Sequence, residues 1–457
     1  MIEARLRDIA TALEGRLIDE DVSFSGVSID TRSLQPGNLF VALRGARVDA
    51  HQLLGEARAR GASAALVAEP DNTALPQMVV GDTETALARL ATWQRKRLEA
   101  RVIGITGSNG KTTVKTLTAT ILGRCGRAHV NAGNLNNEIG LPLSLLGAPI
   151  DCEFLVLEMG AGKPGDIEHL VMIAQPSIGL VNNVAPAHLE RMGSLDGVAE
   201  TKGALYAALP AQGVAVINAD DDYAEEFAKR SGALRRVRFA IDHPAEFSAR
   251  DIRADGNASS FVLLTPLGEK PVRLPLPGIH NVRNALAAAA LSASAGAPLE
   301  AIVEGLSLAP AVAGRLVRIA LASGAQLIDD SYNANPGSTA AAIDLLALSG
   351  GERWLVLGDM RELGPMAAEL HRECGMRARA AGIERLFAVG ELACEAATAF
   401  GLGGHGFADQ ATLIDALRAA LHPDALVLVK GSRGSSMERV VLALTRDTHG
   451  EAGVHVA

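Results

Sequence analysis

Aromatic side chains are scarce in this chain, at 3% of 457 residues, which removes the stacking platforms that single-stranded nucleic-acid binders use. Positive charge is not in excess either. The formal net charge is −9, so no nucleic-acid partner is expected, although a local basic site stays open. Cysteine is limited to Cys125, Cys152, Cys374 and Cys394, too widely spaced for a CxxC pair or a disulfide framework, and they read as thiols in a reducing compartment. No run approaches the roughly 18 uncharged apolar residues of a membrane span. Met1 to Asp8 mixes charges from its third residue and has no apolar signal core. The expectation is a cytoplasmic chain with no membrane insertion. What is present is 48% hydrophobic and 21% charged residues, globular material with aliphatic, alanine-rich cores. The length suggests about three domains.

One stretch stands out from this background. Arg101-Val102-Ile103-Gly104-Ile105 is a short apolar run suited to a buried parallel strand. It feeds Thr106-Gly107-Ser108-Asn109-Gly110-Lys111-Thr112-Thr113, after which Val114, Leu117, Ile121 and Leu122 recur at helical spacing. Glycines at 107 and 110 let backbone amides converge on one concavity, and Lys111 can neutralise phosphate charge. The Thr112 hydroxyl is placed to ligate Mg²⁺. The loop is shorter than the common form, because Ile105 rather than glycine stands five residues before Gly110. Strand, loop and helix in this order imply nucleotide-phosphate binding.

The rest of the chain falls into three blocks, 1–82, 83–312 and 313–457. The first holds short strands at 22–30, 38–43 and 63–68 with a helix near 51–60, a small α/β unit. A polar helical stretch at 83–100 reads as a linker to the phosphate loop. In the middle block, strands at 154–157, 178–181 and 214–217 end at Glu158, Asn182-Asn183 and Asn218-Ala219-Asp220. Strands alternating with helices mark a parallel sheet, whose ligands sit at the carboxyl ends of the strands. Residues 245–275 read as antiparallel strands and 281–295 as an alanine-rich helix. The last block, with strands at 327–328, 354–357, 386–389 and 426–429, reads as a second doubly wound unit. The fold class is α/β throughout, with a Rossmann-like C-terminal domain.

Several polar residues at strand ends carry two readings each. Glu158 is either a Mg²⁺ ligand facing the phosphate loop or a solvated charge. His188 and Lys202, in isolation, are a surface histidine and a charged helix residue. Asn281 and Asn284 share one face of a helical turn and can satisfy adenine's edge, or Asn281 simply caps the helix. Asp329-Asp330-Ser331-Tyr332-Asn333-Ala334-Asn335-Pro336 is a dense polar run before a helix start. Its acidic end could hold ribose hydroxyls, but spacing does not say what it binds.

Taken together, these motifs resemble the Mur ligases, ATP-dependent amide-forming enzymes of bacterial peptidoglycan assembly, over nearly the whole chain. The resemblance rests on the loop at 106–113, Gly133-Asn134-Leu135-Asn136-Asn137-Glu138-Ile139-Gly140, Glu158, the His188 loop, Lys202-Gly203, His280-Asn281-Val282-Arg283-Asn284 and Gly314-Arg315. The segments at 330–336, 357–364 and 430–434 favour the branch that joins D-alanyl-D-alanine to UDP-N-acetylmuramoyl-tripeptide. A sister ligase adding one amino acid is the alternative, and a nucleotide-binding regulator without ligase activity is a more distant one.

The resemblance implies that Thr106, Gly107, Ser108, Asn109, Gly110, Lys111, Thr112 and Thr113 hold ATP phosphates. It implies that Thr112 and Glu158 hold one Mg²⁺, and that His188 and a carbamylated Lys202 hold a second. Lys111, Lys202, Arg315 and His188 would carry the chemistry, with Arg315 on the γ-phosphate. Asn281 and Asn284 would read adenine and Asp330 the ribose. Ser28, Asp30, Thr31, Arg32, Phe40, Ala42 and Leu43 match the UDP-sugar segment, and Asn134 and Asn137 would also touch substrate. Asn333, Asn335, Lys430, Ser432 and Arg433 would contact the peptide or dipeptide. Ala204 departs from the glutamate common in the family, which puts the helix after Lys202 in question. A monomer is expected.

Overall fold

The computed structural model describes residues 1–72, 75–232 and 234–446. Its first sheet has five strands in the order Arg16–Ile18, Gln77–Val79, Ala64–Val67, Leu39–Val41, Val27–Ser28. Only the Arg16–Ile18 edge is antiparallel to its neighbour. One face packs on Leu54 and Ala57 of the helix Leu54–Ala59. The other shares a core with Leu6, Ile9 and Leu13 of the helix Leu6–Leu13.

The stretch expected as a polar linker is a packing helix, Thr83–Arg95. Asp82 caps it by accepting from the Thr85 amide at 2.7 Å, and the Thr83 hydroxyl donates to the Ala42 carbonyl at 2.9 Å. Ala86, Leu87, Leu90 and Ala91 are buried in one cluster that includes both Leu66 of the first sheet and Leu155 of the central one. These four positions follow the 3.6-residue period. Glu84, Arg89 and Arg95 give the segment its polar average without interrupting the stripe.

The central sheet has six parallel strands, ordered Arg235–Phe239, Val214–Asn218, Ile178–Val181, Arg101–Thr106, Phe154–Glu158, Ala128–Val130. Its register sets Glu158 beside Ile105 and Val181 beside Thr106. The phosphate loop, Met159 and Asn182 therefore leave the sheet at one edge. Strand order runs in both directions from Arg101–Thr106, the switch point at which such sheets bind ligands. A three-stranded antiparallel sheet spanning Ser248–Ala254, Ser259–Thr265 and Gly268–Leu274 covers one side. The helix Ile279–Ser294 lies in the same core, where Ala285 and Ala287 to Ala290 are fully buried. Small side chains let its backbone approach the phosphate-loop helix Lys111–Leu122 closely.

The third sheet has six strands, ordered Val317–Ala320, Gln326–Asp330, Ala425–Lys430, Glu352–Gly358, Arg385–Val389, Gly404–Phe407. All pairs but the first are parallel, and helices pack on both faces. Asp330 and Lys430 are register partners at the carboxyl edge. Asn335 opens the next helix with a capping box to Ser338, and Pro336 takes its first turn. The helix carrying Lys202 continues without a break through Ala204 to Ala207. Among the described residues, no helix is long and apolar enough to cross a membrane.

Candidate active site

A cavity of about 890 Å³ opens between the carboxyl edges of the central and third sheets. Ser108, Asn109, Gly110, Lys111, Thr112, Thr113, Asn134, Asn137, Glu158, His188, Asn281, Asn284, Arg315, Asp330, Asn333, Asn335, Lys430 and Arg433 all line it. Residues scattered over more than 300 positions of sequence thus meet at one place.

The loop that follows Arg101–Thr106 is held from beneath by the end of Ile178–Val181. The Asn183 side chain accepts from the Asn109 amide at 2.8 Å, and the Asn182 amide group donates to the Asn109 carbonyl at 2.9 Å. Gly110 takes a left-handed φ of 80° at the start of the helix. A Cβ there would collide with Asn284 Oδ1 and with Asn182 Nδ2, so glycine suits both the turn and the approach. Lys111 Nζ curls over the loop onto the Gly107 carbonyl at 2.7 Å and the Ser108 carbonyl at 3.3 Å. Burial pushes the Lys111 ammonium below its ordinary pKa, with Glu158 opposing the shift and Arg315 adding to it.

Glu158 is the most constrained group in the site. Thr112 Oγ1 donates to its Oε2 at 2.8 Å and Asn136 Nδ2 to its Oε1 at 2.7 Å. Asn131 grips its backbone at both ends, donating to the carbonyl and accepting from the amide, each at 2.9 Å. Lys115 Nζ lies 3.5 Å from Oε2 and donates to the Asn131 carbonyl at 2.8 Å. Burial alone would raise this carboxyl, but Lys111, Lys115 and the two side-chain donors hold it below its ordinary range. It is therefore an ionised oxygen donor beside a hydroxyl. Mg²⁺ keeps water and phosphate ligands and needs only one or two carboxylates from the protein. Thr112 with Glu158 fits that requirement. Among the described residues no group of three or more His, Cys, Asp or Glu forms a closed cage.

Lys202 is 1% exposed and is not part of the cavity lining. Its amine makes no hydrogen bond to the described residues. Burial, reinforced by Lys111 and countered by Asp166, brings its pKa down to about 7. His188 stands in a left-handed turn at φ 57°, and burial lowers its pKa as well.

Three groups of the third block reach the central one. Arg315 Nη2 donates to Thr112 Oγ1 at 2.9 Å while its guanidinium lies 4.4 Å over the Tyr332 ring. Arg315 Nε is enclosed without a partner among the described residues, a cost that an anion in the cavity would remove. Asn335 Nδ2 donates to Asn109 Oδ1 at 2.7 Å, and Glu362 Oε2 meets His188 Nδ1 at 2.5 Å. Nearby, Lys430 Nζ bonds Asp330 at 2.5 Å, and burial raises the Asp330 carboxyl against the pull of Lys430.

Asn281 lines this cavity, and most of the remaining expected residues lie outside it. Asn281 does not cap its helix with its side-chain oxygen, since the cap position is Gly278 and the Asn281 amide donates to the Pro277 carbonyl at 2.7 Å. Thr106, Gly107 and Ser432 lie outside the lining. Thr106 is fully buried, with a hydroxyl that has no partner among the described residues, and Ser432 donates to the Asp359 carbonyl at 2.5 Å. None of Ser28, Asp30, Thr31, Arg32, Phe40, Ala42 and Leu43 lines the cavity. Phe40 and Ala42 are fully buried core residues, so their side chains have no surface for a ligand. Asp30 is engaged by Arg32 at 2.6 Å, which brings its carboxyl down to about 2.

Sequence reasoning missed Lys115 and Asn131; it placed Asn182 and Asn183 at a ligand-facing strand end, and Asn136 and Glu362 within motif segments, without giving any of the four a role. Lys115 was findable, because it follows Lys111 by one helical turn on the same face. For Asn136, between the two neighbours that were singled out, no signal distinguishes which asparagine turns inward.

A phosphate loop, a carboxylate and an arginine from a second α/β unit define a nucleotide-dependent enzyme site. Family models place the chain. "Mur ligase family, catalytic domain" matches residues 23–102, "Mur ligase middle domain" 105–292, and "Mur ligase, glutamate ligase domain" 314–433. The chain belongs to the Mur ligase family. It is 46% identical to the UDP-N-acetylmuramoyl-tripeptide–D-alanyl-D-alanine ligase of Escherichia coli, over 97% of this chain and 99% of that protein. A MurF crystal structure from Acinetobacter baumannii superposes with a TM-score of 0.92 at 32% identity, covering 97% of this chain and 99% of that one. MurF ligase from Thermotoga maritima in complex with ADP gives a TM-score of 0.82 at 26% identity, covering 93% and 97%.

Proposed function

We propose that this chain is the ATP-dependent ligase that joins D-alanyl-D-alanine to UDP-N-acetylmuramoyl-tripeptide, giving the UDP-linked pentapeptide. Full-length similarity to ligases of that name supports the substrates. The observation that carries the reaction type is Arg315 reaching across from the third block to the hydroxyl of Thr112 in the phosphate loop.

A carboxylate and an amine do not condense in water, so the acid must first gain a leaving group. In the proposed reaction a terminal carboxylate oxygen of the tripeptide attacks the γ-phosphorus of ATP, ADP departs, and an acyl phosphate forms. The free amine of the dipeptide then attacks the acyl carbon, inorganic phosphate leaves, and the nitrogen loses a proton. Lys111 and Arg315 would offset the repulsion between the approaching anions. Mg²⁺, held by Thr112 and Glu158 and at a second position by His188 and a carbamylated Lys202, would add to that charge compensation. The neutral fraction of an amine with a pKa near 7 is what carbon dioxide requires for addition. Asn281 and Asn284 would face adenine and Asp330 the ribose. Asn333, Asn335 and the 430–433 loop would receive the dipeptide, shutting water from the acyl phosphate.

The proposed division of labour places UDP-sugar binding on 1–82, ATP on 83–312 and the incoming amine on 313–457, in a cytoplasmic monomer. The test is release of ADP and formation of UDP-linked product with D-alanyl-D-alanine, compared with single amino acids. Turnover with a single amino acid in place of the dipeptide would move the chain to a sister activity. No ADP with any acceptor would end the ligase reading.

A further inference from the structure

We infer that Glu362, carried by the third block, is a positioning residue for His188 of the central block, so that the docked arrangement of the two fixes the ring through which His188 acts. The inference deepens the proposed metal role of His188 and rests on it.

The contact is specific. His188 Nδ1 and Glu362 Oε2 are 2.5 Å apart although the residues are separated by 174 positions. The Glu190 amide donates to the Glu362 carbonyl at 3.3 Å, so backbone and side chain engage the same loop. The short helix Leu189–Met192 packs against the turn Gly364–Met366. Both partners are non-glycine residues in the left-handed region, His188 at φ 57° and Glu362 at φ 64°. Such a conformation costs on the order of 1–3 kcal/mol and persists where surrounding contacts impose it. Here the two constrained residues are the two halves of one contact.

The chemistry explains why a carboxylate belongs there. An imidazole that donates an electron pair through one nitrogen must carry its proton on the other. A carboxylate accepting that proton sets the tautomer and the ring orientation. Glu362 takes Nδ1, which leaves Nε2 as the free lone pair of a residue lining the cavity. In a single-domain metal site this partner sits beside the ligand. In this chain it arrives from another α/β unit. Cation binding and docking are then linked, and each must favour the other by the same factor. The side chains are 33% and 46% exposed, so Glu362 can be replaced without opening a core.

The test uses the full chain with a non-hydrolysable ATP analogue and Mn²⁺ as a spectroscopic probe, with bound metal counted by electron paramagnetic resonance. Four variants are compared with the parent: Glu362→Gln, Glu362→Ala, His188→Ala and the double substitution. Partners of metal-ligating histidines are worth about 10–100-fold in affinity. We expect Glu362→Ala to weaken Mn²⁺ roughly ten-fold or more and Glu362→Gln less, because its amide oxygen still accepts from Nδ1, with unfolding temperatures unchanged. In the His188→Ala background, Glu362→Ala should add nothing. Parental Mn²⁺ affinity in Glu362→Ala, beside a clear loss in His188→Ala, overturns this inference alone. An equal additional loss in the His188→Ala background also overturns it, since Glu362 would then act on the cation directly. No effect of His188→Ala overturns the metal role of His188, and the inference with it.

Discussion

Replacing Lys115 by methionine tests whether the site is held together by its buried charges. The residue is 4% exposed, with Nζ 2.8 Å from the Asn131 carbonyl, 3.3 Å from the Gly133 carbonyl and 3.5 Å from Glu158. Methionine fills much of the same space and removes all three interactions. Removing one partner of a buried pair typically costs about 3–5 kcal/mol. Glu158 keeps the charge of Lys111 and the hydrogen bonds of Thr112 and Asn136, so the lower end applies. Two carbonyls lose a donor, but relief from desolvating the ammonium offsets part of that. The net expectation is a loss of about 3 kcal/mol, or about 6–12 °C in unfolding temperature for a domain of 150–250 residues. Scanning calorimetry of the nucleotide-free chain reads the transition that moves. Lys270→Met is the control, an exposed lysine on the strand Gly268–Leu274 away from the site, and should leave the transition in place. If Lys115→Met unfolded no earlier than Lys270→Met, the argument that Lys115 braces Glu158 and the 131–136 loop would be wrong.

Lys111→Ala should abolish ligation while UDP-substrate binding persists. Measuring both in one preparation checks this, and near-normal turnover would remove Lys111 from the phosphate site. Lys202→Ala should be largely inactive, with short carboxylic acids or bicarbonate partly restoring turnover, whereas full activity without additive would refute the carbamate. His371 is fully buried, accepts from the Met360 amide through Nε2 at 2.9 Å and bonds the Ala367 carbonyl through Nδ1. Burial lowers its pKa from 6.5. Below pH 6.5 the unfolded chain then binds the proton that the folded chain refuses, so stability falls with pH until the lower folded value is passed. His371→Gln should flatten part of that acid slope in urea titrations, and an unchanged slope would count against it.

The alternation of strands and helices was legible because each element carries its own period. The apolar run 101–105, the alanine-rich stretch read at 281–295 and the strands near 354 and 426 needed no partner to be seen. The helix Thr83–Arg95 was misjudged as a linker because its outer face is charged and its buried face includes the polar Thr83 and Gln94. The edge strands Ala128–Val130 and Arg235–Phe239 were missed, since short, partly exposed strands lack both alternation and a continuous apolar run.

Within the site, the phosphate loop is a local object. Its glycines, its lysine and the strand and helix around it all lie within 22 consecutive residues, 101–122. The sequence by itself therefore carried the expectation of phosphate binding and the family resemblance, which rest on residue types at close spacing. Only the tertiary structure decided that Lys115, Asn131 and Asn136 converge on Glu158, that Phe40 and Ala42 turn into a core, and that Glu362 meets His188. Those outcomes depend on strand order, register and the docking of one sheet edge on another. They are non-local distances, and no spacing along the chain encodes them.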